Sequence, residues 1–149
     1  MEAIEPDFTP VHSDHAIESI TFALSINRPI SGSDVEKLFA HHSEIHEELP
    51  AATGADNTPP SAEFAYCRPD GSAVWLLRCA GSEITIHCTR YTRWNNAWPQ
   101  ARKYFHYALN CCSLNSNGVA YGSPSLHVVD LFVASKPSYD LYALLRKDP

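Results

Sequence analysis

The sequence has no cluster of lysine or arginine, and its 149 residues carry a formal net charge of −6. Because phosphate backbones are bound by basic patches, a nucleic acid is not expected as the main ligand. No apolar run is long enough to span a membrane, and the acidic start MEAIEPDFTP lacks the apolar core of a secretory signal. We therefore expect a cytoplasmic protein that contacts neither nucleic acid nor membrane.

Motifs with a specific chemistry are also missing. The five cysteines are odd in number, show no Cys-x-x-Cys spacing, and include the adjacent pair Cys111 and Cys112. This favours reduced thiols that pack as small apolar side chains over a disulfide framework. The sequence contains no glycine-rich phosphate loop, nucleophile elbow or pair of catalytic carboxylates. It therefore predicts no catalytic residue and no cofactor.

The residues that are present are typical of one globular domain, since 44% are hydrophobic and 19% are charged. Residues 1–14 show no periodicity and are predicted to be a flexible N-terminal segment. Residues 15–149 are predicted to form a single α+β domain with elements in the order β-α-β-β-β-α-β. The predicted architecture is a two-layer sandwich, with both helices on one face of a mostly antiparallel sheet.

The first strand and the first helix have clear patterns. Alternation of apolar and polar residues from Ala16 predicts a half-buried strand that ends at Pro29. Ser33 and Glu36 form a predicted capping box, and apolar residues at helical spacing then predict about four turns of helix. The segment 51–62, AATGADNTPPSA, is predicted to be a loop.

Residues 64–90 predict an antiparallel meander of three strands joined by two tight turns. Gly81-Ser82 is predicted to be a two-residue hairpin turn, and Pro69–Gly71 a three-residue loop. The Pro69–Gly71 loop sets the register of the first strand and places Phe64 opposite Leu76. The predicted core face then carries these side chains: Ala65, Cys67, Trp75, Leu77, Cys79, Ile84, Ile86 and Cys88.

The other face of the predicted meander is unusually apolar for a surface in contact with water. Either another part of the chain or a partner is expected to cover it. We predict a partner surface on this face, extended by aromatic residues ahead of the second helix: Phe64, Tyr66, Val74, Leu76, Arg78, His87, Tyr91 and Trp94.

Two features of the second half of the chain allow more than one interpretation. Tyr91, Trp94 and Trp98 form an aromatic cluster that either anchors the second helix on the sheet or serves as a binding patch. Leu126 to Val133 is nearly continuously apolar, which predicts a strand that is buried on both faces or central in the sheet. Asp130 within this strand is expected to be partly buried and to need a hydrogen-bond partner.

The eight histidines raise the question of a metal site. His42 and His46 lie four residues apart on the predicted first helix, a spacing that can bring two imidazoles to one ion. The pattern is not His-Glu-x-x-His, and an exposed helix end rich in His and Glu explains it without a metal. No metal is predicted, and His42 and His46 are the candidate ligands if one is bound.

Five short segments follow one another as His15-Ala16-Ile17, Asp70-Gly71, Tyr91-x-x-Trp94, Ala101-Arg102 and the strand from Val128 to Phe132. In this order they resemble a sporadically distributed family of uncharacterised bacterial proteins, over about residues 15–134. The last strand has Val-Val-Asp where the family typically has Arg-Tyr-x-Asn. The resemblance implies that the chain corresponds to the N-terminal half of longer proteins. It implies a fold and no activity.

The leading functional hypothesis is a non-enzymatic module that binds another protein, or its own copy, through the predicted partner surface. The alternative is a small-ligand-binding protein or an enzyme, with a pocket at one end of the sheet lined by histidines and Asp130. This alternative becomes metal-dependent if His42 and His46 bind an ion.

Overall fold

The computed structural model describes residues 8–55, 59–112, 121–138 and 140. Within these ranges the chain forms eight strands, two α-helices and one short 3-10 helix at His42–Glu44. The helices are α1 (Gly32–Ala40) and α2 (Trp94–Cys111). The strands are β1 (Phe8–Pro10), β2 (Ile17–Ile26), β3 (Ala51–Ala55), β4 (Ser61–Cys67), β5 (Ala73–Ala80), β6 (Glu83–Cys88), β7 (Tyr121–Asp130) and β8 (Phe132–Ala134).

In the described residues six of these strands form the main sheet, in the order β3-β4-β5-β6-β2-β7. The other two, β1 and β8, pair in a small separate sheet, and every pairing is antiparallel. Helix α1 packs against β4, α2 packs against β6, and the two helices also contact each other, so both lie on one face of the main sheet. This confirms the predicted α+β sandwich.

The core lies between the main sheet and the two helices. Fully buried side chains from the sheet, such as Leu77 and Ile86, meet Leu38 of α1 and Tyr104 of α2. The Tyr107 hydroxyl donates to the Leu38 carbonyl oxygen and so ties α2 to α1 inside this core. Neither described helix has the length and apolar character that crossing a membrane requires.

The predicted register of the β5–β6 hairpin is confirmed. Gly81 has a φ of 57°, the left-handed conformation that this two-residue turn requires. Ala80 lies opposite Glu83, and Trp75 lies opposite Cys88. The predicted core residues of these strands are buried, apart from the half-buried Trp75: Leu77, Cys79, Ile84, Ile86 and Cys88.

The predicted register of β4 is wrong by one residue. Phe64 lies opposite Leu77, because the β4–β5 ladder is irregular next to the turn and β5 holds one extra residue there, Val74. A slip of one residue moves every side chain of a strand to the other face. Phe64 therefore lies in the core with no exposed surface, whereas the predicted core residues Ala65 and Cys67 lie half-buried and exposed.

Helix α1 begins at Gly32, one residue before the predicted cap Ser33. Its N-cap is Ser31, whose Oγ accepts from the Asp34 backbone N–H (3.2 Å), while Asp34 Oδ2 accepts from the Ser31 backbone N–H (2.9 Å). The capping box predicted at Ser33 and Glu36 is therefore wrong. The helix is also shorter than predicted, because it ends at Ala40 and the 3-10 helix follows.

The segment predicted as a loop at 51–62 contains β3 and the start of β4. Strand β3 pairs with β4 from Ala51 opposite Ala65 onward. A Cβ on Gly54 would lie 2.5 Å from the ring of Phe39, so glycine makes room for α1 to pack over this strand. The prediction of a loop is wrong here because the residues of β3 are small and carry no alternating pattern.

Strand β7 is an edge strand, so the predicted buried or central position is wrong. In the described residues β7 pairs with β2 alone. Val129 is 53% exposed, and Asp130 is exposed as well, which also corrects its expected burial.

Part of the predicted flexible segment has regular structure. Phe8–Pro10 forms β1, which pairs with β8, and the Val11 backbone N–H donates to the Leu131 carbonyl oxygen (3.1 Å). The apolar stripe predicted near the C-terminus, at Tyr139, Leu141, Tyr142 and Leu145, lies outside the described residues.

Candidate functional site

The structure does not bring the predicted partner surface together. Phe64 lies in the core, and Val74 is only 5% exposed. Tyr91 and Trp94 lie beyond the end of β6, next to the start of α2. Tyr66 is 45% exposed, but it pairs with Trp75 and so belongs to the helix-covered face of the sheet. The remaining residues of this surface share the opposite face: Leu76, Arg78 and His87.

That opposite face is more polar than the sequence suggested. The Thr21 hydroxyl lies 2.7 Å from His87 Nδ1, and Arg78 Nε lies 3.2 Å from Glu63 Oε1. Leu76 among them is half-buried. In the described part of β4, β5 and β6, this face carries none of the strongly exposed large apolar side chains. It is therefore a weaker candidate for a protein contact than predicted.

The exposed apolar side chains gather instead on β7 and β8. Six of them, between 39% and 57% exposed, define what we call the β7–β8 surface: Leu126, Val128, Val129, Leu131, Phe132 and Val133. They lie on both faces of β7 and along β8, and exposed apolar side chains in such number often mark an interaction site. The sequence signal for this surface is the apolar run itself, which equally predicts burial within the chain.

The helix layer ends before it reaches β7. The rings of Trp94 and Trp98 reach Phe22 of β2, with ring centroids 5.8 and 5.6 Å from it. Leu126 lies next to Phe22 in the β2–β7 ladder, one strand further out, and is 48% exposed. The helix-side face of β7 is therefore apolar and open to solvent.

The hydrogen-bonding edge of β7 also lacks protection. No strand in the described residues pairs with the side of β7 that faces away from β2. Edge strands are usually blocked by lysine, proline or bulges. In β7 the stretch from Ser125 to Val129 has no charged Asp, Glu, Lys or Arg and no proline, since Pro124 precedes it and Asp130 follows it.

A cavity of about 400 Å³ lies where β4, β5 and β6 approach the N-terminal segment. We call it the basic pocket, and its lining includes His12, Tyr66, Cys67, Arg68, Arg90 and Tyr91. Tyr91 also borders a second cavity of about 390 Å³ that includes His15 and Arg93. Asp130 lines neither of these two cavities, and the predicted pocket of histidines with Asp130 stays a prediction.

Arg68 is held in place at the wall of the basic pocket. Its Nη1 donates to Thr89 Oγ1 (3.1 Å) and to Ser72 Oγ (3.3 Å). The nearby Asp70 carboxylate accepts from the Ser72 hydroxyl (2.6 Å) and backbone N–H (2.8 Å). These hydrogen bonds from Ser72, more than the Arg68 charge, lower the pKa of Asp70.

The N-terminal segment packs over Tyr91. The His12 and His15 rings lie 4.9 Å apart, and the His15 ring meets Tyr91 edge-on at 5.4 Å. His15 Nδ1 is buried and has no hydrogen-bond partner among the described residues. His12 Nε2 lies 3.5 Å from Glu18 Oε2.

The aromatic cluster divides into an inner and an outer tryptophan. The rings of Trp94 and Trp98 are stacked, with centroids 5.7 Å apart and planes 9° from parallel. Trp98 is half-buried against the core, whereas Trp94 is 44% exposed. Trp98 therefore anchors α2 on the sheet to a greater extent than Trp94 does.

We expect Trp94→Ala to lower the free energy of unfolding by about 1 kcal/mol, because much of the ring is already in water. Trp98→Ala is the matched control and should cost about 3 kcal/mol, because it removes an aromatic packed against the core. Urea denaturation of both variants measures the difference. Equal costs would mean that both rings anchor α2.

His42 and His46 contact each other, with ring centroids 5.2 Å apart. His42 Nε2 donates to the Leu49 carbonyl oxygen (2.7 Å), which occupies one of its two ring nitrogens. Within the described ranges, no three or more His, Cys, Asp and Glu side chains are grouped so that they could hold a metal ion. The pair therefore has no third ligand of these types in the described part of the chain.

All five cysteines are free thiols, and four of them are buried. Burial raises the pKa of Cys88, and it raises the pKa of Cys112 to about 12. These thiols therefore stay protonated and pack as apolar groups, as the sequence predicted. Cys67, at the basic pocket, is exposed.

No protein-family model, curated protein or solved structure matches this chain. The resemblance to a bacterial family therefore stays a prediction, and the surfaces and cavities described above carry the functional argument.

Proposed function

We propose that this chain is a non-enzymatic interaction module that binds a second copy of itself through the edge strand β7. The observation that carries the proposal is a ten-residue edge strand with exposed apolar side chains on both faces and no blocking charge in its centre. Such an edge pairs readily with another strand, because its backbone N–H and C=O groups gain partners.

Antiparallel pairing of two β7 strands fits the symmetry of a dimer. A two-fold axis perpendicular to the sheet brings the same edge of each copy together, and closed two-fold dimers are the commonest oligomers. In this arrangement the main sheets become continuous, and the helices of both copies lie on the same side. Leu126 and Val128 of each copy then fill the gap that α2 leaves above β7.

The charge distribution also supports self-association. Two copies that each carry a net charge of −6 repel one another at long range, but β7 itself contributes only Asp130 to this repulsion. Burial of half-exposed Leu126, Val128 and Val129 side chains in each copy supplies about 1 kcal/mol apiece. We also propose a cytoplasmic location, because the five free thiols would stay reduced there.

Val129→Lys is expected to raise the dissociation constant of the dimer at least about tenfold, because each copy would bring an ammonium group to the paired edge. Sedimentation equilibrium of the wild type and the variant measures the change. Since Val129 is 53% exposed, the variant should keep the wild-type melting temperature within about 2 °C.

The matched control is Ala40→Lys, which adds the same charge at the exposed last residue of α1. It should leave the dissociation constant unchanged within about twofold. A wild-type protein that sediments as a monomer overturns the proposal, and so does a dimer that Val129→Lys leaves intact.

A further inference from the structure

The basic pocket is a local exception to the acidity of the chain. Its lining contains Arg68, Arg90 and His12, and no Asp or Glu among the described residues. Glu18 lies beside His12, so the positive charge of the pocket rests on the two arginines. Two guanidinium groups at one cavity of an acidic protein favour a negatively charged ligand.

Arg68 is held in position by hydroxyl groups and forms no ion pair among the described residues. Its guanidinium is held by the hydroxyls of Thr89 and Ser72, and the Thr89 hydroxyl in turn donates to the Ala73 carbonyl oxygen (2.8 Å). No carboxylate in the described residues lies within ion-pair distance of Arg68, and the nearby Asp70 carboxylate accepts hydrogen bonds from Ser72. A fixed guanidinium with free donors is well suited to an oxyanion.

Arg90 extends the positive charge toward α2. It lines the basic pocket and also a neighbouring cavity of about 250 Å³ that borders Thr92 and Asn96. Arg90 forms no ion pair within the described part of the chain and is exposed. The first turn of α2 has no acidic residue, and its N-cap makes no side-chain hydrogen bond, so the positive end of the helix dipole is not offset there.

We propose that the basic pocket binds a small organic anion, with a phosphate or carboxylate group held by Arg68 and Arg90. The cavity of about 400 Å³ falls within the size range of small-molecule sites. Tyr66 and Tyr91 provide aromatic surface for the apolar part of the ligand. The proposal is independent of β7, because β6 and β2 separate β5 from that edge.

Phenyl phosphate is the probe, since it joins an oxyanion to one aromatic ring, and benzyl alcohol is the neutral comparison. Isothermal titration calorimetry of the wild type should show saturable binding of phenyl phosphate and none of benzyl alcohol. Arg90→Ala should weaken the binding of phenyl phosphate about tenfold or more, because it removes a charge-assisted contact. Arg102→Ala, which removes an exposed arginine on α2 outside the pocket, should change affinity less than about twofold.

The reactivity of Cys67 provides a second test of ligand binding that does not rely on calorimetry. It is the exposed thiol among the five cysteines and lines the pocket, so iodoacetamide should modify it selectively. Saturating phenyl phosphate should slow this modification severalfold in the wild type and in Arg102→Ala. Absence of saturable binding overturns the proposal, as does binding that Arg90→Ala leaves unchanged or that Arg102→Ala weakens equally.

Discussion

Phe64→Ala is expected to lower the free energy of unfolding by about 3–5 kcal/mol, as for other buried aromatic side chains. Phe64 has no exposed surface, and its ring contacts three others: Phe39 at 5.4 Å, His42 at 4.9 Å and Tyr107 at 5.9 Å between centroids. These rings come from both helices and from the 3-10 helix that follows α1. Truncation therefore opens a cavity where β4, α1 and α2 meet.

Tyr66→Ala is the matched control for Phe64→Ala, since it truncates an aromatic residue two positions along the same strand. Tyr66 is 45% exposed, so its loss should cost about 1 kcal/mol or less. Urea denaturation followed by circular dichroism measures both. A Phe64→Ala variant with wild-type stability would show that β4 has the register predicted from the sequence.

Asp34→Ala is expected to cost about 3 kcal/mol of stability. Asp34 is 3% exposed and accepts from Arg28 Nη1 (2.6 Å) and Nη2 (3.0 Å), and from the Ser31 hydroxyl (2.8 Å). Arg28 Nη2 also donates to the Cys112 carbonyl oxygen (2.9 Å), which joins the start of α1 to the end of α2. The loss combines a helix cap with one half of a partly buried ion pair. It falls at the lower end for such pairs because the Arg28 side chain is 35% exposed and can turn toward water.

Glu36→Ala is the control, because Glu36 is the acid that the sequence placed in the capping box and the structure leaves it exposed. Its replacement should change the free energy of unfolding by less than about 0.5 kcal/mol. If Glu36→Ala proved the more damaging of the two, α1 would begin at Ser33.

The contribution of Asp34 should also depend on pH. Burial by itself raises the pKa of Asp34, but hydrogen bonds from Arg28 and Ser31 outweigh it and place this pKa below the ordinary value of 3.8. The folded state therefore favours the ionised carboxylate, and the stabilisation is fully present above that ordinary value and lost as the pH falls through the lower folded pKa. The stability difference between wild type and Asp34→Asn should shrink below about pH 4 in a series of urea denaturations.

The parts of the fold that the sequence predicted well depend on local rules. The β5–β6 register follows from one turn whose glycine has a positive φ and from strict alternation on both sides. The Pro69–Gly71 turn has the same kind of glycine, with a φ of 85° at Gly71. The β4–β5 register predicted from this turn is nevertheless wrong, because a bulge at Val74 adds a residue that no local sequence pattern indicates.

The choice between two capping boxes shows why local rules are insufficient for α1. Ser31 with Asp34 and Ser33 with Glu36 both fit the capping pattern, and the sequence alone does not rank them. Arg28 decides between them in the folded protein, because two of its hydrogen bonds go to Asp34. The deciding contact comes from the residues after β2, outside the helix itself.

The candidate surfaces also show the difference between what local sequence patterns predict and what tertiary contacts decide. The sequence singled out the apolar run from Leu126 to Val133 and the aromatic cluster of Tyr91, Trp94 and Trp98. The predicted central position of this run is wrong, because an apolar strand can have the same sequence whether it lies in the centre of a sheet or at its edge. The sequence did not predict the basic pocket, because Arg68, Arg90 and His12 come together only when the β4–β5 turn, the end of β6 and the N-terminal segment meet.

By itself the sequence determined the α+β class, the β5–β6 register set by a two-residue turn, and the burial of most cysteines, since each depends on residues close together in the chain or on side-chain type. Tertiary structure alone decided which face Phe64 occupies, which serine caps α1 and which apolar strand stays exposed. Those outcomes depend on the bulge at Val74, on the contact between Arg28 and Asp34, and on how far α2 extends across the sheet. The exposed edge of β7, on which the proposed function rests, exists because α2 reaches β2 and stops one strand short.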